Sequence, residues 1–408
     1  MTTDKMKQTS LWRNGAFNLF WSGQSLSLLG SGMAFVAFPL LIFELTHSIQ
    51  QMGLVTALMG TGSLIAGLVA GVLADRQDRL LLLLVCDACS AVGYLVIPVW
   101  WWVAGPQALV PLIVAAPLGF FSLAATVAGT ASIPRLVKSA QLVEANARLQ
   151  GSSAVAFVVG PIIAGVLISL FGTTLVLALN AASYLFSVAS LLLVRLYPAE
   201  DRETVPLDLD SGGHWLAGLR FLLQRQMLGW VAALRIGEML LLAGVFDLLV
   251  YRVRQELHQS NEAVGLLWGL GTLGAIVGSI LAPRLRRTVG FGALFLSGLA
   301  LQAISFMALG FLSSLPLFIL CGVGVTLGDV WVQILAGALL QEHTPDRLQG
   351  RVTASVQTGL WVGTALGAAA TTSLAGALGS TPPVFLLIGC LFACLVVLGI
   401  VTPARKAR

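Results

Sequence analysis

Apolar runs long enough to cross a bilayer recur twelve times along this chain, divided by charged, proline-rich or glycine-rich breaks. A helix covers the hydrocarbon with about 20 mostly apolar residues. The runs fall at about 17–43, 51–74, 80–103, 107–133, 146–171, 173–197, 227–251, 262–283, 289–312, 315–341, 351–377 and 382–402. Soluble domains are about 45–50% apolar and about 25% charged. Here 57% of residues are hydrophobic and only 10% are charged, and the mean hydropathy is +0.91. The expectation is an all-α polytopic membrane protein.

Basic residues orient such a chain, because they stay on the cytoplasmic side. With twelve spans and an inner N-terminus, twenty of the 23 Lys and Arg fall in inner segments. The outer loops hold Arg252 and Arg254, and Arg235 lies within a span. Both termini are therefore expected in the cytoplasm, with the protein multi-pass in a bacterial inner or plasma membrane. No cleavable signal peptide is expected, since the polar N-terminus runs to Asn14 without a small-residue cleavage site behind it. Trp100, Trp101 and Trp102 close the third span on the outer side, where indoles favour the headgroup layer. Cys86, Cys89, Cys321, Cys390 and Cys394 all lie in apolar runs and read as small hydrophobes.

The one long polar segment divides six spans from six. The expected organisation is an N-terminal half over 1–197, a cytoplasmic linker over 198–226 and a C-terminal half over 227–408. Within the linker, His214 to Gln224 reads as a short amphipathic helix with Trp215, Leu219, Phe221 and Leu222 against lipid. A weak repeat at an offset of 207 residues aligns Gly67 with Gly274, Gly71 with Gly278 and Arg79 with Arg286. Two related six-span halves are the architecture of major facilitator transporters.

Four charges crowd the stretch "GVLADRQDRL" between spans two and three. It resembles the major facilitator loop motif Gly-x-Leu-Ala-Asp-Arg-x-Gly-Arg, with Asp78 in place of the second Gly. The resemblance implies a conformational lock. Gly71 allows close helix approach, Asp75 packs at the start of span eleven, Arg79 supplies a charge partner, and Arg351 stands near enough along the chain's plan to pair with Asp75. An acid at a helix N-terminus is worth about 0.3–1 kcal/mol when exposed and up to about 2 when partly buried.

In span five, "AFVVGPIIAG" resembles the antiporter motif of facilitator exporters, through Gly160, Pro161 and Gly165. The stretches "FNLFWSGQSLSLLGSGM", "LVEANARLQ" and "TPDRLQGRV" extend the likeness to the third drug-efflux branch, which includes macrolide efflux proteins and enterobactin exporters. That resemblance implies twelve helices in two pseudo-symmetric halves, a small-molecule substrate near the midplane, efflux and a monomer. Span four carries no early Arg of the kind other proton-coupled branches use, which leaves exchange for protons open.

Ionisable groups inside a membrane are functional candidates by default. Asp329 lies near the middle of span ten and is the first candidate for a coupling group; Asp247 and Glu238 follow in span seven. Arg235 and Glu238, three residues apart, can pair along one helix face. Asp87 is expected near enough to the cytoplasmic interface to be solvated, Glu44 at the outer rim, and Asp247 against an outer vestibule. Gln24, Asn180, Gln302, Gln333 and Gln357 are candidate cavity polar groups. Trp268, Trp331 and Trp361 lie deeper than an interfacial belt needs and suit a bulky aromatic or cationic substrate.

The four histidines are scattered and form no ligand pair, so neither an enzyme nor a metal site is expected. No phosphate-binding loop of the Gly-x-x-x-x-Gly-Lys-Ser/Thr type is present, so neither ATP nor another cofactor is expected to drive the cycle. The net charge of +5 follows from the loop bias and does not point to nucleic acid. The reading is a secondary exporter of a bulky amphipathic small molecule, drug-like or siderophore-like. A lipid flippase or a solute importer of the same fold is the alternative.

Overall fold

The structure, a computed structural model, describes residues 11–76, 78–138, 141–197 and 215–402, with the side chains at 70–76, 215–217 and 346–347 outside the description. Helix boundaries follow local chemistry. Asn14 caps α1 (Gly15–Thr46) by accepting from the Phe17 amide at 3.0 Å, and His47 ends it in the left-handed conformation at φ 48°. Helix α2 spans Ile49–Arg76, and α3 (Arg79–Ala104) begins where Asp78 accepts from the Leu80 amide. The N-terminal half continues as α4 (Leu109–Leu136), α5 (Leu142–Phe171) and α6 (Thr173–Val194). Helix α7 (Trp215–Gln224) precedes α8 (Gln226–Leu242), α9 (Val245–Tyr251), α10 (Asn261–Gly271) and α11 (Leu273–Val289). The chain closes with α12 (Phe291–Phe311), α13 (Leu315–His343), α14 (Asp346–Leu378) and α15 (Pro382–Val401).

Among the described residues, ten helical stretches are long and apolar enough to cross a membrane, with α10 and α11 counted as one. The other two expected spans depart for physical reasons. Span seven is broken: Gly244 takes φ 79° between α8 and α9, and the Thr371 hydroxyl donates to the Ala243 carbonyl at 3.1 Å. A π-turn, Arg252–Glu256, follows α9. Span eleven is α14, diluted by Gly and Thr where it crosses close to α2.

Packing within the halves repeats. The pairs α1·α6, α2·α4, α1·α5 and α3·α6 recur as α8·α15, α11·α13, α8·α14 and α12·α15. The architecture is the major facilitator fold, two pseudo-symmetric bundles of six spans. Helix α7 lies against α14, where a methyl built on Gly218 would stand 2.2 Å from the Arg351 carbonyl oxygen. Leu222 is buried there, so α7 rests on protein rather than presenting Leu222 to lipid as expected.

The halves meet chiefly through α2·α14 and α5·α10, and that contact is a wedge. At the end of the bundle opposite the chain termini, the far end, a methyl on Gly53 would stand 1.8 Å from Thr372 Oγ1. Further along α2 the corresponding clearance is 3.4 Å at Gly60 and 3.8 Å from Gly67 to Trp361. On α5 and α10, a methyl on Gly265 would stand 2.4 Å from the Pro161 carbonyl oxygen, while Gly151, toward the terminal end, has open space. The halves press closest at the far end, and among the described residues the clearance along α2 grows toward the terminal end. Gly265→Leu is expected to hold the far end apart. A cysteine placed at Thr372 should then react severalfold faster with a maleimide, whereas Gly151→Leu should leave that rate unchanged.

Candidate functional site

The wedge encloses a central cavity of about 490 Å³. Its walls come from both halves: Ser31, Phe35 and Phe38 on α1, Thr56 and Met59 on α2, Tyr94 and Tyr184, and Phe157 on α5. The opposite wall carries Gly244, Phe246, Asp247, Trp268, Thr326, Asp329 and Trp361. Three rings cluster across the seam, with Phe35 centred 4.6 Å from Phe246 and 5.0 Å from Trp268, and Phe246 4.6 Å from Trp268. Aromatic clusters at such spacings favour offset or edge contacts and give apolar or cationic ligands a face to pack against.

The break at Gly244 places Asp247. It starts the short helix α9 and turns its carboxylate into the cavity wall, 1% exposed. Thr56 of the other half donates to Asp247 Oδ2 at 2.7 Å, while Oδ1 is buried without a partner. The expected outer-vestibule position is therefore corrected: the carboxylate is enclosed in the seam. The Trp268 indole N–H is likewise buried and unpartnered.

Asp329 also faces the cavity, its side chain 31% exposed. Along its own helix it has no cation, but the Arg235 guanidinium of α8 reaches it at 2.7 Å. The same nitrogen donates to Glu238 at 2.7 Å, and Gln302 of α12 donates to the other Glu238 oxygen at 2.5 Å. One cation thus joins two acids from two helices, with Glu238 fully buried behind and Asp329 at the cavity face. A buried ion pair barely gains over apolar packing, but an unpaired buried charge is costly.

The remaining candidates separate. Trp268 and Trp361 line the cavity. Trp331 does not; its indole donates to the Gly278 carbonyl at 3.1 Å and fastens α13 to α11. Gln302 is buried in the Arg235 network, whereas Gln333 and Gln357 are exposed and lie outside the cavity wall. Gln24 donates to Asp87 and Ser187, and Asn180 is buried between α1 and α6. Asp87 itself is only 2% exposed, so the expectation of a solvated acid is corrected. Glu44 is exposed and accepts from Thr173.

Of the proposed lock, the Gly71 and Asp75 side-chain region lies outside the described residues, and Arg351 is partly buried. Arg79 donates to the Ala131 carbonyl at 2.9 Å. Asp78, the departure from the motif, caps α3 and meets Arg135 at 3.5 Å and Arg195 at 3.4 Å, clasping three helices of one half. In span five, Gly160 meets the Gly32 backbone of α1, while Pro161 and Gly165 meet α10 across the seam. Sequence reasoning missed Thr56, Phe35 and Phe246; only the Ala243-Gly244 pair inside an apolar run signalled that span seven turns there.

A family model for transmembrane secretion effectors matches residues 8–406. The chain belongs to that family. It is 29% identical to the enterobactin exporter EntS of Citrobacter koseri over 90% of this chain and 85% of that protein. Among solved structures, the nucleoside transporter NupG superposes with a TM-score of 0.75 at 13% identity, covering 95% of this chain and 98% of that one. A bacterial homologue of the iron transporter ferroportin in its inward-facing state gives 0.71 at 17% identity, covering 95% and 99%. These likenesses carry the major facilitator fold, and the family and the relative are those of membrane transporters.

Removing the shared cation is the sharpest perturbation of this network. Arg235→Leu is expected to lower stability in detergent by about 3–5 kcal/mol, the usual cost of stranding a buried charge. Asp329→Asn should cost less than half of that, since the variant keeps Arg235 paired with Glu238. Tryptophan-fluorescence unfolding measures both, and the reverse order would show that Arg235 does not hold the network.

Proposed function

We propose that this protein is a secondary exporter, moving a bulky amphipathic small molecule across a bacterial inner or plasma membrane by alternating access, in exchange for protons. The observation that carries the reading is the wedge: one apolar, aromatic-walled cavity lined from both halves, whose helices press closest at the far end and separate toward the terminal end among the described residues. Residues 1–197 and 227–408 form the two bodies, with 198–226 as the tether. The bias of basic residues toward the loops on the terminal side supports a cytoplasmic location for both termini; on that reading the wider end of the wedge faces inward and the cavity loads from inside. The size and lining suit a drug-like or siderophore-like molecule with aromatic surface.

Within that cycle Asp247 is the acid at which proton and substrate exclude each other. Asp329 already shares the Arg235 cation, whereas Asp247 has one hydroxyl for a partner and a bare oxygen. A carboxylate with no counter-charge gains most from a proton or from a cationic or hydrogen-bond-donating substrate. Gly71, Asp75, Arg79 and Arg351 act at the terminal end when it closes, Pro161 and Gly165 form the bearing on which the halves turn, and Gly160 lets α5 pack against α1 within its own half. The chain works as a monomer and uses no resident cofactor.

Inverted membrane vesicles with an acid interior test the reading, with ethidium as the probe. Wild-type protein is expected to drive ethidium inward; Asp247→Asn should slow gradient-driven uptake at least about tenfold, a barrier change of about 1.4 kcal/mol. Asp329→Asn should slow it less. Uptake that ignores the gradient would remove protons from the cycle. Movement in the opposite sense would favour an importer, and movement of lipid that depends on the headgroup would favour a flippase.

A further inference from the structure

Away from the cavity acids, the N-terminal half encloses an acid of its own. Asp87 of α3 sits between α1 and α6, where Ser187 donates to Oδ2 at 2.6 Å and Gln24 donates to the same oxygen at 3.2 Å. Gln24 also donates to Ser187 at 2.9 Å, so the carboxyl is held in a closed ring of three side chains. Helices α1 and α6 pack closely on either side of the ring. A methyl on Gly23 would stand 2.0 Å from Ser190 Oγ, and one on Gly30 would stand 2.2 Å from Ser183 Oγ.

No cation meets this carboxyl among the described contacts. Along α3, Arg79 is eight residues away, about 12 Å of helix, and donates to the Ala131 carbonyl. Arg135 of α4 and Arg195 beyond α6 are both engaged with Asp78. The other titratable groups on these helices are Cys86, Cys89, Tyr94 and Tyr184, with Glu44 at the far end of α1; the side chains of Asp75 and Arg76 on α2 lie outside the described residues. An ionised carboxyl without a counter-charge is costly in a dry interior.

Hydroxyl side chains follow Asp87 along α3 at Ser90 and Tyr94, and Tyr94 lines the cavity. Ser90, one turn further along α3, is fully buried with no partner of hydrogen-bonding geometry, and it neighbours the Tyr184 hydroxyl. Tyr184 and Ser31 share a hydrogen bond of 3.1 Å, and both line the cavity. We propose that Asp87 is a second proton-binding site, buried in the N-terminal half and connected to the central cavity through Ser90, Tyr184 and Ser31. A proton leaving Asp87 enters this file; each hydroxyl takes one proton and passes on its own. The hydroxyls end unchanged, Asp87 becomes a carboxylate and one proton reaches cavity water. The inference rests on the export reading only for the direction of net flow, because the site can be titrated with no transported molecule present.

Infrared difference spectra of the full chain in liposomes, taken between about pH 5 and about pH 9, cover the range buried carboxyls reach. A protonated-carboxyl band that titrates is expected in wild type. One component of it should vanish in Asp87→Asn yet persist in Asp247→Asn. Tyr184→Phe, which keeps the ring, should slow exchange of that component's proton for deuterium severalfold. Ser187→Ala keeps the acid but removes its nearest donor and should shift the component's frequency, which decides the matter should Asp87→Asn fail to fold. A titrating band indifferent to both Asp87→Asn and Ser187→Ala would leave Asp87 as a hydrogen-bond anchor and overturn the proposal. An exchange rate unchanged in Tyr184→Phe would remove the hydroxyl file from it.

Discussion

Close glycine contact between the two halves, tightest at the far end, is the constraint on which the rest of this structure depends. Lipid offers helices no hydrophobic reward for associating, so close packing of small residues and polar contacts must hold them together. Here Gly53 admits Thr372 and Gly265 admits the Pro161 carbonyl, and no side chain larger than hydrogen fits at either glycine without a shift. Both contacts lie at the far end. The cavity exists because the helices that touch there diverge toward the terminal end, so the site and the closure are one geometric fact.

The charges are arranged around that seam in different ways. Arg235, Glu238 and Asp329 belong to one bundle, and Gln302 joins them from the same bundle. A rigid-body movement of the halves can leave that network intact, which suits a structural anchor with one exposed face. Asp247 differs because its one hydrogen-bond donor among the described residues, Thr56, comes from the opposite bundle. Any opening of the far end must separate that pair. The unwound turn at Gly244, held by Thr371 of α14, lets the acid meet its partner without bending a continuous helix.

Much of the fold was legible in the sequence, because length and apolarity alone define a span and charge bias defines its ends. Twelve runs are expected; among the described residues ten form helical stretches long and apolar enough to cross, and the other two form the broken α8–α9 pair and α14, with ends displaced by a few residues where caps such as Asn14 and Asp78 extend or stop the helix. The break at Gly244 was not read, since an apolar run carries no record of one residue's dihedral angle. The site was less legible. Helices apolar on every side have no stripe to show which face turns inward, so nothing in the sequence separates Gln302, buried against Glu238, from Gln333 and Gln357, which are exposed, and none of the three lines the cavity. The partner of Asp329 sits 94 residues away, a distance no local pattern spans.

The orphaned oxygen of Asp247 gives the closed far end a cost of the right size for a transporter. A buried polar atom without a partner costs about 1–3 kcal/mol, and more when it carries charge. Allosteric couplings that move proteins between two states are usually about 1–3 kcal/mol as well. With Asp247 ionised, the far-closed state therefore bears a cost comparable to the whole bias between states. On the proposed cycle, a proton or a donor group from the substrate removes that cost, and both compete for the same oxygen. Either ligand then permits closure, and an empty ionised site disfavours it. In the proposed exchange, that condition couples two flows without a direct contact between the two ligands, from one carboxylate placed at the seam between the halves.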